Sequence, residues 1–129
     1  MIDPIWPMVL LGYLVTVAME APILLLGLSR QHPLRRRIFA GFWLTACTYP
    51  IVVMVMPMLW DATTDRMTYL LVAECFAPIA ECILFAQLWP ATRRDWLAIA
   101  LANFTSFLVG EWLHLSGQTE RVLTALGLL

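Results

Sequence analysis

Four apolar runs, residues 5–28, 38–60, 67–89 and 96–115, occupy most of this chain, and only short polar connections separate them. Each run can cross the hydrocarbon core of a bilayer as a helix, which takes about 20 predominantly apolar residues. Inside a bilayer no water satisfies backbone N–H and C=O groups, so a spanning segment has to close its hydrogen bonds internally. Hydrophobic residues make up 61% of the 129 positions, more apolar surface than a globule of this length buries in one core. The expected fold is all-α: a polytopic membrane protein whose four transmembrane helices form two related helical hairpins within a single membrane domain over 1–129. The connections 29–37, 61–66 and 90–95 are too short to hold a soluble domain, and the tail from Ser116 reads as a short, weakly amphipathic piece. The first run opens with Asp3 instead of a basic region and no A-x-A-like site follows it, so it is expected to remain in the protein and not to act as a cleaved signal.

Charge distribution predicts an orientation. All eight basic residues are Arg. Arg30, Arg35, Arg36 and Arg37 lie in the first connection and Arg93 and Arg94 in the third, whereas Arg66 in the second sits beside Asp61 and Asp65. Short basic loops stay cytoplasmic, which places both Arg-rich tips in the cytoplasm and both termini outside. Trp6, Trp60 and Trp112 then fall at the outer ends and Trp89 and Trp96 at the inner ends, at the headgroup level that indole rings prefer. The Arg30, Arg35, Arg36, Arg37 cluster is also a candidate surface for anionic lipid or an acidic partner, at about 1 kcal/mol per basic residue near such a surface. A formal net charge of −1 with few basic residues gives no reason to expect nucleic-acid binding.

Three acids lie deep inside the spans without a basic residue there to neutralise them, Glu20, Glu74 and Glu81, whereas Glu111 lies near the outer end of its run and can reach the interface. A charged side chain at the bilayer centre is unfavourable by about 2.5–3.5 kcal/mol on insertion scales, so such residues are functional-site candidates by default. Each acid can persist by keeping its proton, by binding a cation or by lining a wet cavity. Counted from the inner helix ends at about 1.5 Å per residue, Glu20 and Glu81 share one depth with Thr45, Thr48, Asn103 and Ser106. Small residues continue these stripes at Gly12, Thr16, Gly41 and Gly110, and small faces let membrane helices approach and hydrogen-bond. Ala73-Glu74-Cys75 recurs as Ala80-Glu81-Cys82 seven residues later, which puts both carboxylates on one helix face, about 10 Å apart along the axis. Pro22, Pro50 and Pro78 lack the N–H that would bond the carbonyls of Ala18, Ala46 and Glu74.

The two halves share a pattern. Arg36 precedes Thr45 by nine residues and Arg94 precedes Asn103 by nine, each followed three residues on by a hydroxyl, Thr48 or Ser106. A glutamate, Glu20 or Glu81, precedes each basic tip. Two such units in the same orientation imply a pseudo-two-fold axis along the membrane normal.

Enzymatic signatures are missing: there is no Gly-rich phosphate loop, no nucleophile-and-base pair and no H-E-x-x-H or E-x-x-H motif. His32 falls in a basic tip and His114 at an outer helix end, so the bundle core lacks an imidazole for haem or a di-iron centre. No cofactor and no metal are expected. Cys47, Cys75 and Cys82 lie within spans and read as packing residues.

The Glu20-Ala21-Pro22 run, the Thr45-x-x-Thr48-Tyr49-Pro50 segment, Glu74 and Glu81, and Asn103-x-x-Ser106 followed by Gly110 resemble small four-helix bacterial inner-membrane proteins of uncharacterised function. That resemblance implies a fold and a membrane without an activity. The chain is also similar to small multidrug resistance transporters in length, helix number and a first-span glutamate that binds protons and cationic drugs, Glu20 being the corresponding acid. It departs from them in carrying the Glu74 and Glu81 ladder. The expected function is cation- or proton-coupled transport through Glu20, Glu74 and Glu81 with Thr45, Thr48, Asn103 and Ser106, in a homo-oligomer or larger membrane complex. The alternatives are a non-catalytic subunit or assembly factor of a larger complex and, behind it, a membrane-embedded enzyme acting on lipid.

Overall fold

The computed structural model describes residues 5–127; Asp3 lies outside them. Four long helices, α1 (Ile5–Gly27), α2 (Leu34–Leu59), α3 (Arg66–Leu88) and α4 (Arg93–Leu115), are followed by a short α5 (Gln118–Ala125), and no strand forms among the described residues. All four long helices are apolar enough and long enough to span a membrane. α1 packs against α2 and α4, and α3 packs against the same two, so the helices close into a ring in chain order.

Polarity is inverted relative to a water-soluble bundle. Leu10, Leu14, Leu71, Ile79, Leu97 and Leu101 are more than half exposed, whereas Glu20, Thr45, Thr48, Glu81, Asp95 and Asn103 are buried. An aqueous solvent would drive the leucines inward; acyl chains do not, because they are as apolar as the side chains themselves. Membrane residence therefore rests on where the polar groups lie as well as on helix length. The apolar core, Leu24, Leu28, Leu44, Phe85, Ile99 and their alanine neighbours, fills the end that carries the Arg-rich connections.

Close approach depends on small residues. A Cβ on Gly41 would come within 3.0 Å of the Ala21 backbone, and one on Gly12 would overlap the Tyr49 hydroxyl, so both glycines let α1 and α2 meet. Gly110 behaves differently from the stripe assigned to it, since it is exposed and a Cβ there would meet nothing within 4 Å.

Helix starts differ from those expected. α2 begins at Leu34, so Arg35, Arg36 and Arg37 occupy its first turn instead of a loop. Pro33 sets this boundary: its fixed φ suits the entry to a helix, and its carbonyl accepts the N–H groups of Arg36 and Arg37. α4 begins at Arg93, three residues before the expected 96, because Thr92 and Asp95 form a capping box. The tail, expected as a short, weakly amphipathic piece, folds into the eight-residue α5, which buries Leu123 against the bundle.

α2 is not uniform. Residues 51–55 widen into a π turn in which the Met56 N–H bonds the Ile51 carbonyl, five residues back. In that register the Val52 carbonyl faces position 57, which is proline and has no N–H to give. The Tyr69 hydroxyl of α3 donates to Val52 O at 3.1 Å instead, so a side chain replaces the missing backbone donor and ties α2 to α3.

At the Arg-rich end the first connection grips the start of α4. Asp95 accepts the Ser29 N–H at 2.7 Å, the Thr92 N–H at 2.8 Å and the Thr92 hydroxyl at 2.9 Å, and its Oδ2 lies 3.1 Å from His32 Nε2. The Arg36 guanidinium approaches His32 Nδ1 at 3.2 Å and covers the Trp89 ring, while Arg37 donates to the carbonyls of His32 and Leu25. Donation from Arg36 leaves Nδ1 as the acceptor and Nε2–H as the donor to Asp95. His32, expected in an open basic tip, is thus buried, and Arg36 and Arg37 serve the interior while Arg30 and Arg35 stay exposed. Removing a buried acceptor so that its donors are left unsatisfied is destabilising by about 1–3 kcal/mol. Asp95→Ala should accordingly lower unfolding stability in mild detergent by that amount, whereas Arg35→Ala, at an exposed position, should change it by less than about 0.5 kcal/mol.

Candidate functional site: a buried two-carboxylate layer

Six polar side chains from all four long helices meet about midway along the bundle. Glu20 projects from α1, Thr45 and Thr48 from α2, Glu81 from α3, and Asn103 and Ser106 from α4. The spacing of three between Thr45 and Thr48, and between Asn103 and Ser106, keeps each pair on one face of its helix.

The hydrogen bonds pair each acid with the two helices beside it. Glu20 Oε2 accepts from the Thr45 hydroxyl at 2.6 Å and Oε1 from the Ser106 hydroxyl at 2.7 Å. Glu81 Oε1 accepts from the Thr48 hydroxyl at 2.7 Å and Oε2 from the Asn103 amide at 2.7 Å. Every carboxylate oxygen of the pair therefore has one donor. No buried side-chain nitrogen or oxygen among the described residues lacks a partner.

A cavity of about 130 Å³ adjoins the layer on the side away from the Arg-rich end, with Thr16, Tyr49, Val52, Glu74 and Phe107 among the residues of its wall. It is polar enough and large enough for a small water cluster. Glu74 lines this cavity together with Glu81, as their seven-residue spacing requires, but it is half-buried and makes no hydrogen bond with another described residue. Glu111, nearer the helix end, is paired with Arg66 at 2.6 Å and lies outside the site. No Arg or His lines the cavity. The opposite side of the layer is closed by Leu24, Leu44, Phe85, Ile99 and Ala102, all fully buried.

The structure thus brings together the seven residues expected at a proton or cation site: six in one hydrogen-bonded layer and Glu74 on the adjoining wall. Sequence reasoning missed the Asp95, His32 and Ser29 cluster. One half of it carried a readable signal, because Thr92-x-x-Asp95 has the spacing of a capping box; the burial of His32 depends on a tertiary contact that no local pattern records. Cys47, Cys75 and Cys82 are free thiols. No group of three or more His, Cys, Asp or Glu side chains able to hold a metal ion forms among the described residues. Comparison with protein-family models, curated proteins and solved structures returned no match.

Hydrogen bonds between membrane helices contribute about 0.6 kcal/mol on average and up to about 1.7. A double-mutant cycle combining Glu20→Leu with Ser106→Ala, read by reversible unfolding in detergent, should give a coupling energy within that range. Strict additivity of the two substitutions would show that the contact does not operate in the folded protein.

Proposed function

We propose that the protein takes part in proton- or cation-coupled transport across a bacterial inner membrane, with Glu20 and Glu81 as the exchanging groups and Glu74 as the outermost acid of the path. The observation that supports this reading is the enclosure of two carboxylates in one layer, beside a polar cavity and with no basic side chain to neutralise them. Packing alone is served by neutral polar groups, whereas a pair of acids sharing one cavity takes up or releases positive charge with every change of state. The cavity volume supports a small passenger such as a proton, an inorganic cation or water. A larger path calls for an oligomer.

The proposed orientation has the Arg-rich end in the cytoplasm and both termini outside, following the positive-inside rule. In that orientation the cavity lies on the outer side of the layer. The two-hairpin organisation belongs to the same proposal. A shift of 61 residues carries Glu20 onto Glu81 and Leu24 onto Phe85, and a shift of 58 carries Ala40, Gly41, Leu44 and Thr45 onto Ala98, Ile99, Ala102 and Asn103, with every residue of both sets buried. The same shifts convert the partners of Glu20, Thr45 and Ser106, into the partners of Glu81, Asn103 and Thr48. A two-fold relation between the halves accounts for that exchange.

The alternative, a non-catalytic subunit of a larger membrane complex, draws on two apolar clefts of about 300 and 520 Å³ that flank α4. The wild-type protein reconstituted in liposomes should carry a proton or cation flux that falls at least tenfold in Glu20→Gln and in Glu81→Gln while both variants remain folded. Flux that is absent or unchanged in the variants, together with recovery in a stoichiometric complex from mild detergent, would transfer the assignment to the subunit reading.

A further inference from the structure

Three hydroxyls in the central layer have a choice of acceptor. The Thr45 hydroxyl lies 2.6 Å from Glu20 Oε2 and 3.2 Å from the Gly41 carbonyl of its own helix. Thr48 lies 2.7 Å from Glu81 Oε1 and 3.2 Å from the Leu44 carbonyl. Ser106 lies 2.7 Å from Glu20 Oε1 and 2.9 Å from the Asn103 carbonyl. A hydroxyl has one hydrogen, so it serves only one of the two acceptors at a time, while its oxygen can still accept.

We infer that this layer is a proton store, in which Glu20 and Glu81 take up protons from water in the cavity and Thr45, Thr48 and Ser106 turn their hydroxyl hydrogens to the helix carbonyls as they do so. The inference rests on the transport reading and narrows its passenger to the proton. With Glu20 ionised, Thr45 donates to Oε2. When a proton arrives on Oε2, the new O–H donates to Thr45 Oγ1, and the Thr45 hydrogen swings to Gly41 O. No heavy atom has to move and no polar group is left unsatisfied. Ser106 provides the same exchange at Oε1, and Thr48 provides it at Glu81 Oε1, so three of the four carboxylate oxygens accept a proton within the existing geometry.

Asn103 differs, and the difference argues against a metal cation. Its amide nitrogen donates to Ile99 O at 3.0 Å as well as to Glu81 Oε2, which fixes the amide with its N–H groups toward both acceptors. A hard cation takes about six or more oxygen ligands, and here the amide turns hydrogen, not oxygen, toward the acids. The other titratable groups facing the pair are Tyr49 on the cavity wall and Cys47 near Glu81 from α2, and Glu74 and Cys82 from α3. From α4 the cavity is lined by Asn103, Ser106 and Phe107, none of which titrates. Two acids in one cavity lose their protons in two coupled steps that belong to the pair.

Infrared titration of the carboxyl band, with detergent-solubilised full-length protein, tests the inference without any transport assay. The band should rise and fall with pH identically in sodium and in choline buffer, and it should lose part of its amplitude in Glu20→Gln and in Glu81→Gln. Rotors and fixed donors then separate. Asn103 can only donate, and its bond to Glu81 Oε2 is stronger when the acid is ionised than when Oε1 carries the proton, so Asn103→Leu should move the midpoint to higher pH by roughly half a unit to one unit. Thr48 changes from donor to acceptor as Glu81 takes its proton, so Thr48→Val should move it much less, and Thr48→Ser should restore the wild-type curve. A sodium-dependent midpoint would overturn the proton assignment while leaving cation transport standing. Equal shifts in Thr48→Val and Asn103→Leu would overturn the rotor exchange, and the wild-type comparison of the two buffers decides the ligand even if a variant fails to fold. A null liposome flux with these infrared results intact would instead remove transport and leave the proton store.

Discussion

A carboxylate enclosed among membrane-crossing helices has to find hydrogen-bond donors inside the protein, because acyl chains offer none. Glu20 and Glu81 find theirs on the two helices that flank both of them. Each acid joins its own helix to α2 and to α4, and together the two acids tie the four long helices at one depth. The remaining features accommodate that layer. Gly41 and Ala21 let α1 come close enough to α2 for Glu20 to reach Thr45, and the apolar core seals the layer on one side.

Away from the layer, the two ends of the bundle are held by unlike means. The Arg-rich end is closed by Asp95, which gathers donors from the first connection and from its own capping box. The opposite end is looser: Val52 of the π turn and a half-buried Glu74 line the cavity, and the short α5 borders a separate apolar cleft. Local openings are drawn from regions with fewer buried contacts, and here such a region adjoins the polar cavity. The bundle is therefore asymmetric along its axis.

Much of this was legible in the chain. Apolar run length gave the four helices, and counting residues from the Arg-rich ends put Glu20, Glu81, Thr45, Thr48, Asn103 and Ser106 at one depth, because a helix converts sequence separation directly into height. The seven-residue step between Glu74 and Glu81 gave their common face for the same reason. What stayed hidden depends on other segments. The burial of His32 requires the first connection to fold onto α4, and the reach of Tyr69 to Val52 requires a carbonyl deprived of its donor by Pro57 in a widened turn. The start of α4 was readable from Thr92 and Asp95, but the hydrophobic run, which begins later, dominated the boundary. Gly110 fitted a small-residue stripe by spacing alone, and spacing does not say whether a neighbour is there to fill the space.

Solid-state NMR of the protein in lipid bilayers measures the central contact directly. With labelled glutamate, threonine, serine and asparagine, the Cδ of Glu20 should correlate through space with Cβ of Thr45 and Ser106, and the Cδ of Glu81 with Cβ of Thr48 and Cγ of Asn103. Glutamate Cδ resonances that correlate with acyl chains or with an arginine guanidinium, and not with these hydroxyl and amide carbons, would contradict the two-carboxylate layer.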